Sequence, residues 1–172
     1  MSDTQHPRPS SAETVQALVR NELSWEELRA LMRSPKSETR FDETIAAWQS
    51  VVPWEEQILL PLGENLFIVA KEGKAIVKTM AGAELGPWNG NWKMRCRMIV
   101  RRTREDLLEI YPSKDMTIDP DLVEIREFLC PLSGTLLDTD CVPPGYPVEV
   151  DFTPDLPTFY REWLGREVPV AL

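Results

Sequence analysis

Histidine is almost absent from this chain of 172 residues. The one histidine, His6, lies in a start rich in proline and serine, and residues 1–10 are therefore predicted to be a flexible tail. The rest of the chain has no imidazole for a Ser-His-Asp or Cys-His nucleophile, or for a histidine-rich zinc or iron site. We expect no catalytic residue and no bound cofactor in this chain.

Cysteine and long apolar segments are also scarce. The three cysteines, Cys96, Cys130 and Cys141, are an odd number without a disulfide framework, which is typical of a reducing compartment. No charged start leads into an apolar segment, so no secretory signal is predicted. No apolar run approaches the ~20 residues that cross a bilayer. The sequence predicts a cytoplasmic protein that does not interact with membranes.

Positive charge is limited as well, and it is concentrated in one segment. The formal net charge is −9, from 19 basic and 28 acidic residues. Residues 93–104 nevertheless contain six bases and no acid. Bases and apolar residues alternate from Trp92 to Arg101, which predicts a strand with one cationic face and one apolar face that includes Cys96. The acidic body argues against nucleic acid as a partner. We expect this cationic strand to pair with acids of this chain or of another subunit.

Hydrophobic periodicity predicts an α+β fold. Apolar stripes at helical spacing predict three helices over residues 11–50, the second opening at Ser24 with a capping box completed by Glu27. We interpret residues 11–50 as a helical docking module and residues 51–172 as an α+β body with a small mixed or antiparallel sheet. The predicted elements of the body are strands at 53–69 and 74–80, a glycine-rich loop at 81–91, a short helix capped by Thr103, a strand pair within 121–142 and a short helix at 154–165.

The C-terminal part of the body is rich in proline and aromatic residues. Pro144, Tyr146, Phe159, Tyr160 and Trp163 all lie within residues 144–163. Aromatic enrichment of this kind is typical of interface cores. These side chains either bind a partner or complete the core of the domain, and the sequence leaves both interpretations open.

Two sets of residues were candidates for metal or acid–base chemistry. Cys130 begins a Cys-Pro-x-x-Gly turn typical of a zinc knuckle, but the second ligand position holds Ser133, and Cys141 is the alternative partner. The carboxylate pairs Glu55–Glu56 and Asp138–Asp140 are unremarkable in a chain with 28 acids, and nothing near them would raise one pKa selectively. We expect neither a metal nor acid–base catalysis at these positions.

Six segments carry a likeness to a known family. They are SPKSETRF (34–41), PWEEQILLPLGENLFIV (53–69), NWK (91–93), EIYP (109–112), IREFLCPLSGTLL (125–137) and VPPGYPVEVDFTPDLPTFYREWLG (142–165). None is a catalytic motif, and the likeness rests on their order and spacing. From about residue 24 to residue 166 the chain resembles the gamma subunits of acetone carboxylase and related ATP-dependent ketone carboxylases, which include the acetophenone type.

The resemblance implies a non-catalytic small subunit of a hetero-oligomeric ligase. Large hydantoinase-like subunits would bind ATP, bicarbonate, the ketone and a divalent metal, and the complex would form a 3-oxo acid. This chain would support the assembly. Its expected partner contacts are Trp88, Trp92, Arg95, Arg97, Arg101, Pro144, Tyr146, Phe159, Tyr160 and Trp163. The alternatives are a stand-alone binding or regulatory module that uses the cationic strand, and a small zinc-binding protein.

The chain departs from the family pattern at the cysteines. The family has a cysteine-rich zinc knuckle between the third strand and the NWK segment, facing a second knuckle. The corresponding positions here are Thr79, Ala81 and Gly86 in the first knuckle and Ser133 in the second, so that only Cys130 is retained. The resemblance therefore implies degenerate zinc-ribbon-like knuckles without zinc. Packing of Trp88 and Trp92, or a neighbouring subunit, would hold the loop over residues 79–90.

Overall fold

Three helices precede two antiparallel sheets and a short C-terminal helical segment. A computed structural model describes residues 11–172, and the predicted tail at residues 1–10 lies outside the described residues. The observed order of elements confirms the predicted α+β fold, with the sheet resolved into two separate antiparallel sheets. Within residues 11–172, no helix is both long and apolar enough to cross a bilayer.

The N-terminal helices are α1 (Ala12–Val19), α2 (Trp25–Arg33) and α3 (Arg40–Gln49). The capping box predicted for α2 is present, with the Ser24 hydroxyl accepting from the Glu27 backbone and the Glu27 carboxylate accepting from the Ser24 backbone. Helix α1 packs on α3, and α3 packs on the first sheet. Helix α2 has no buried residue.

The first sheet is an antiparallel meander in the order β1 (Gln57–Pro61), β2 (Leu66–Lys71), β3 (Lys74–Thr79) and β4 (Glu84–Pro87). Strand β4 lies inside the segment that was predicted to be a loop, so that prediction was wrong. Gly82 makes the turn into β4 with a φ of +91°, and the buried side chains of Ala83 and Leu85 alternate with exposed ones. The glycines of this segment correctly indicated the turn at Gly82, but they led to the whole segment being predicted as a loop, so that the short strand after the turn was missed.

The second sheet has the order β5 (Arg97–Arg101), β6 (Glu124–Leu129) and β7 (Leu136–Val142). The predicted pair of strands around a turn is confirmed as β6 and β7. Between β5 and β6, helix α4 (Arg104–Leu108) opens with the predicted cap at Thr103 and buries Leu107.

The predicted long cationic strand is wrong in its first half. Residues Trp92–Arg95 form a 3-10 helix, and β5 starts only at Arg97. Lys93, which was predicted to lie on the cationic face, is buried, whereas Met94, which was predicted to lie on the apolar face, is 67% exposed. The physical reason is that the Lys93 ammonium forms ion pairs with three carboxylates, two of them largely buried, which favours its burial over that of Met94.

The first sheet is covered on both faces. On one face, Ile58, Phe67 and Val69 pack against residues of α3 that include Trp48. The C-terminal helical segment consists of the short helix α5 (Leu156–Thr158) and a π-helical turn (Phe159–Trp163). On the other face, the core contains Leu59, Ile68 and Ala75 with Leu156 and Tyr160 of this segment. Double burial explains why β2 is an uninterrupted apolar run rather than an alternating one.

Candidate functional site

A buried lysine ties the second sheet to the segment that follows it. The Lys93 side chain is 0% exposed, and its Nζ lies 2.8 Å from Asp138, 2.7 Å from Asp140 and 3.3 Å from Asp151. The ammonium also lies 5.1 Å from the ring centre of Phe128. Asp138 and Asp140 share one face of β7, while Asp151 belongs to the irregular chain beyond it.

The charges of this cluster support one another. Burial alone would lower the pKa of Lys93, but hydrogen bonds to Asp138 and Asp140 outweigh burial and raise it above its ordinary value. Burial likewise acts to raise the pKa of Asp138, and the Lys93 ammonium outweighs this effect and lowers it. The carboxylate oxygens of the three aspartates lie close enough to one another to bind one metal ion. The ammonium among them already supplies the cation, so the cluster is an internal ion-pair site.

Residues 143–155, named the strap here, contain no helix or strand and are held by side chains of the second sheet and its flanks. The Arg126 guanidinium donates to the Tyr146 carbonyl at 2.6 Å. The Asn91 amide donates to the Val148 carbonyl at 2.7 Å. Together with the Lys93–Asp151 ion pair, these bonds fix the strap at three places.

A cleft of about 380 Å³ opens between the two sheets. One wall is the turn between β1 and β2, and the other is formed by the start of β7 and the end of the strap. Its main lining residues are Leu62, Glu64, Trp92, Leu136, Asp151 and Phe152. Phe152 is 64% exposed and Leu136 is 48% exposed, so two large apolar side chains face solvent at its mouth. The cleft combines apolar walls with carboxylates.

Two arginines at the end of the cationic segment, Arg101 of β5 and Arg102 directly after it, are engaged within the chain. Arg101 contacts Glu127 at 2.7 Å and Glu109 at 2.5 Å, and Arg102 contacts the buried Glu124 at 2.6 Å. Burial would raise the pKa of Glu124, but Arg102 and Arg126 outweigh burial and lower it. The acids of this chain therefore neutralise part of the cationic segment, which is one of the two pairings that the sequence left open.

The predicted partner contacts lie in different environments. Arg95, Arg97, Pro144 and Tyr146 are exposed, and Arg101 is half-buried. Trp88, Trp92 and Phe159 are half-buried against core clusters.

The two C-terminal aromatic residues Tyr160 and Trp163 differ most. Trp163 is 80% exposed, with its ring 6.5 Å from that of Phe159. Tyr160 is buried and its hydroxyl donates to the Leu59 carbonyl at 2.9 Å. Its assignment as a surface contact is corrected, because both its ring and its hydroxyl are used inside the chain.

Three of the positions that correspond to the two knuckles, Thr79, Ala81 and Ser133, lie around Cys130, whereas Gly86 lines a separate pocket beside Trp88. The Thr79 hydroxyl lies 3.4 Å from the Cys130 sulfur, and both residues line a pocket of about 360 Å³ together with Ala81 and Ser133. Burial would raise the pKa of Cys130, but hydrogen bonds from Ser133 and Thr79 outweigh burial and lower it. One thiol and two hydroxyls do not fit structural zinc, which requires thiolate or imidazole ligands.

The alternative metal pair is separated by the sheet register. Cys141 on β7 lies opposite Ile125 of β6, five residues before Cys130, which directly follows β6. At the rise of a β-strand this places the two cysteines about 16 Å apart along the sheet. Cys130 is buried and Cys141 is exposed, so the two thiols cannot share one ion.

The third cysteine, Cys96, is half-buried. Burial, with a further contribution from Cys130, raises the pKa of its thiol to about 11.

Sequence reasoning missed the role of Lys93, although a signal was present. Asp138 and Asp140 are two residues apart on a predicted strand, so they had to share a face. Two neighbouring acids on one strand face are favoured when a cation lies close to them. Lys93 was a candidate for that cation, because it belongs to the cation-rich segment at residues 93–104. The sequence analysis treated Glu55–Glu56 and Asp138–Asp140 as equivalent, and it therefore overlooked that only the second pair has the two-residue spacing of one strand face.

Comparison with known proteins adds two findings. Residues 52–164 match the family model described as acetone carboxylase gamma subunit. The chain is also 40% identical over 154 residues to the acetone carboxylase gamma subunit of Xanthobacter autotrophicus, covering 88% of this chain and 91% of that protein. The matched region includes both sheets, the strap and the cleft between them.

Proposed function

This chain belongs to the acetone carboxylase gamma-subunit family, and from that premise we propose that it is the non-catalytic small subunit of an ATP-dependent ketone carboxylase. Membership makes it a subunit of a multi-subunit carboxylase. The proposal adds that its role is to support assembly of the complex in the cytoplasm. The observation that carries the proposal is the similarity over nearly the full length of both chains.

The chemistry of the described residues supports a role without catalysis. Residues 11–172 contain no histidine. The most buried charged side chains, those of Lys93, Glu124 and Arg126, are engaged in ion pairs inside the chain. A general acid or base must reach a substrate proton, and these groups have no free face toward solvent. They stabilise the fold instead.

The proposed reaction converts a ketone and bicarbonate to a 3-oxo acid with consumption of ATP. Large hydantoinase-like subunits would hold ATP, a divalent metal and the ketone. The alternative of a stand-alone module has less support, because Arg101 and Arg102 of the cationic strand already pair with acids of this chain. The zinc-protein alternative is disfavoured by the single thiol among the knuckle positions.

The test compares the chain alone with the assembled complex. The purified chain should show no ketone-dependent ATP hydrolysis. Co-expressed with the two large subunits from the same genome, it should elute with them as one complex. Large subunits expressed without this chain should give less assembled complex. Turnover by the isolated chain, or assembly that is indifferent to its presence, would contradict the proposal.

A further inference from the structure

We propose that the cleft between the two sheets binds a segment of a large carboxylase subunit in which a lysine or arginine is flanked by apolar side chains. The inference deepens the proposed function and rests on it. It assigns the docking surface to a place that differs from the cationic strand. The argument combines the charge, the apolar walls and the fixed geometry of the cleft.

The charge of the cleft is negative after its internal pairing is complete. Glu64, Asp138 and Asp151 line it, and Asp140 lies beside Asp138. The Lys93 ammonium pairs with Asp138, Asp140 and Asp151, and its one positive charge leaves a net charge of −3 on these three aspartates and Glu64 together. The Asp151 side chain is 69% exposed and can accept a further hydrogen bond from outside. A basic side chain is the complementary group.

The apolar part of the cleft offers an anchor on each side. Phe152 on the strap and Leu136 on β7 are exposed at its mouth, with Leu62 and Trp92 half-buried between the walls. Aromatic side chains that are covered on binding are frequent hot spots of protein interfaces. Phe152 directly follows Asp151, which Lys93 holds, so its backbone is ordered before a partner binds. Pre-ordering lowers the entropic cost of association.

The same charges argue against a second copy of this chain as the occupant. In a two-fold symmetric dimer the same surface patch is used by both subunits. Two copies of this cleft would place carboxylates against carboxylates, and such like-charge contacts are unfavourable at interfaces. A partner surface of the opposite sign is required, and the assembled carboxylase supplies partner subunits.

The experiment measures binding of the purified full chain to the large subunits, which are co-expressed with each other and purified without this chain. Glu64→Lys reverses a charge at the rim of the cleft, and Phe152→Ser removes an apolar anchor. Matched controls outside the cleft are Glu55→Lys, which reverses an exposed charge before β1, and Leu122→Ser, which removes a 66% exposed side chain before β6. Thermal unfolding of each isolated chain verifies that the variants fold.

We expect each cleft variant to raise the dissociation constant about tenfold or more, and each control to change it less than about twofold. The effect of Glu64→Lys should shrink as salt is raised, because exposed charges are screened, whereas that of Phe152→Ser should persist. If Phe152→Ser fails to fold, Glu64→Lys on the β1–β2 turn still tests the cleft.

The outcomes separate the two proposals. If the wild-type chain does not bind the large subunits, the proposed function fails and this inference fails with it. If the wild-type chain binds and the cleft variants bind equally well, only the assignment of the cleft is wrong. Self-association of the isolated chain that both cleft variants abolish would identify a second copy as the occupant and would also overturn the inference.

Discussion

Lys93 shows how a single side chain can determine the local path of the backbone. Its ammonium lies among Asp138, Asp140 and Asp151 and close to the ring of Phe128. A buried ammonium without partners would be strongly unfavourable. The burial of this residue therefore depends on its carboxylate partners.

Replacing this lysine should destabilise the fold. Lys93→Met leaves partly buried carboxylates without their cation, and breaking a buried pair in this way costs about 3–5 kcal/mol. Urea unfolding measures the loss, and Lys74→Met, at an exposed lysine that starts β3, is the matched control. Equal stability of the two variants would show that the cluster contributes nothing.

The two pKa shifts in the cluster define a pH window for this stabilisation. The pKa of Lys93 is raised in the folded chain, so its contribution is full below the unfolded pKa of about 10.4 and is lost as pH rises through the folded pKa. The pKa of Asp138 is lowered, so its contribution is full above about 3.9 and is lost as pH falls through the folded pKa.

We therefore expect the difference in Tm between the wild type and Lys93→Met to be constant from about pH 5 to pH 9. It should shrink toward more acidic and more alkaline conditions. A difference that grows continuously toward acid would contradict the assignment of these shifts. Lys74→Met, measured over the same range, controls for the general effect of removing one positive charge.

The knuckle positions allow a test in which a function is gained. Thr79, Ala81 and Ser133 line one cavity with Cys130, so Thr79→Cys, Ala81→Cys and Ser133→Cys together would place four thiols around it. Four thiolates are a complete ligand set for structural zinc. Elemental analysis should find about one zinc per chain in the triple variant and none in the wild type. Near-stoichiometric zinc in the wild type, lost in Cys130→Ser, would refute the prediction that the site is degenerate.

At the scale of elements, features that depend on residues close in sequence were predictable, whereas those that depend on distant residues were not. The caps at Ser24 and Thr103 follow from residue types three positions apart, and both are present. The 3-10 helix at Trp92–Arg95 depends on aspartates some 45 residues or more along the chain, which no local period reveals. Strand β4 is too short and too rich in glycine for its alternation to stand out.

The cap of α4 provides a prediction at this scale. The Thr103 hydroxyl accepts from the Asp106 backbone at 3.1 Å, and the Asp106 carboxylate accepts from the Thr103 backbone at 2.9 Å. Thr103→Ala removes half of this box and should cost about 0.5–2 kcal/mol of stability. Thermal unfolding measures the change against Thr153→Ala on the strap, whose threonine is exposed. The same loss in both variants would indicate that the cap has no specific effect.

At the scale of the whole molecule, the division into a helical module and a body was predicted, but their dependence on each other was not. Trp48 of α3 packs edge to face on Phe67 of β2, with 5.3 Å between ring centres. The apolar stripe of α3 was visible in the sequence. Which strand it covers depends on how distant segments meet, and the same holds for the separation into two sheets.

Removing residues 1–50 should therefore prevent normal folding, even though the family match begins at residue 52. Deleting α3 would expose the apolar face that contains Ile58, Phe67 and Val69. We expect aggregation on size-exclusion chromatography and strong binding of a hydrophobic dye, with removal of residues 1–10 as the control. A monomeric truncated chain with the wild-type Tm would show that the body folds independently.

The way in which the strap is held has a consequence for mutagenesis. Arg126 and Asn91 contact carbonyl oxygens of Tyr146 and Val148, which every amino acid possesses. Substitutions in Tyr146 or Val148 leave those two attachments chemically intact. The course of this stretch therefore depends on the Arg126 and Asn91 side chains that donate to it, so that replacing either donor should loosen the segment more than replacing Tyr146.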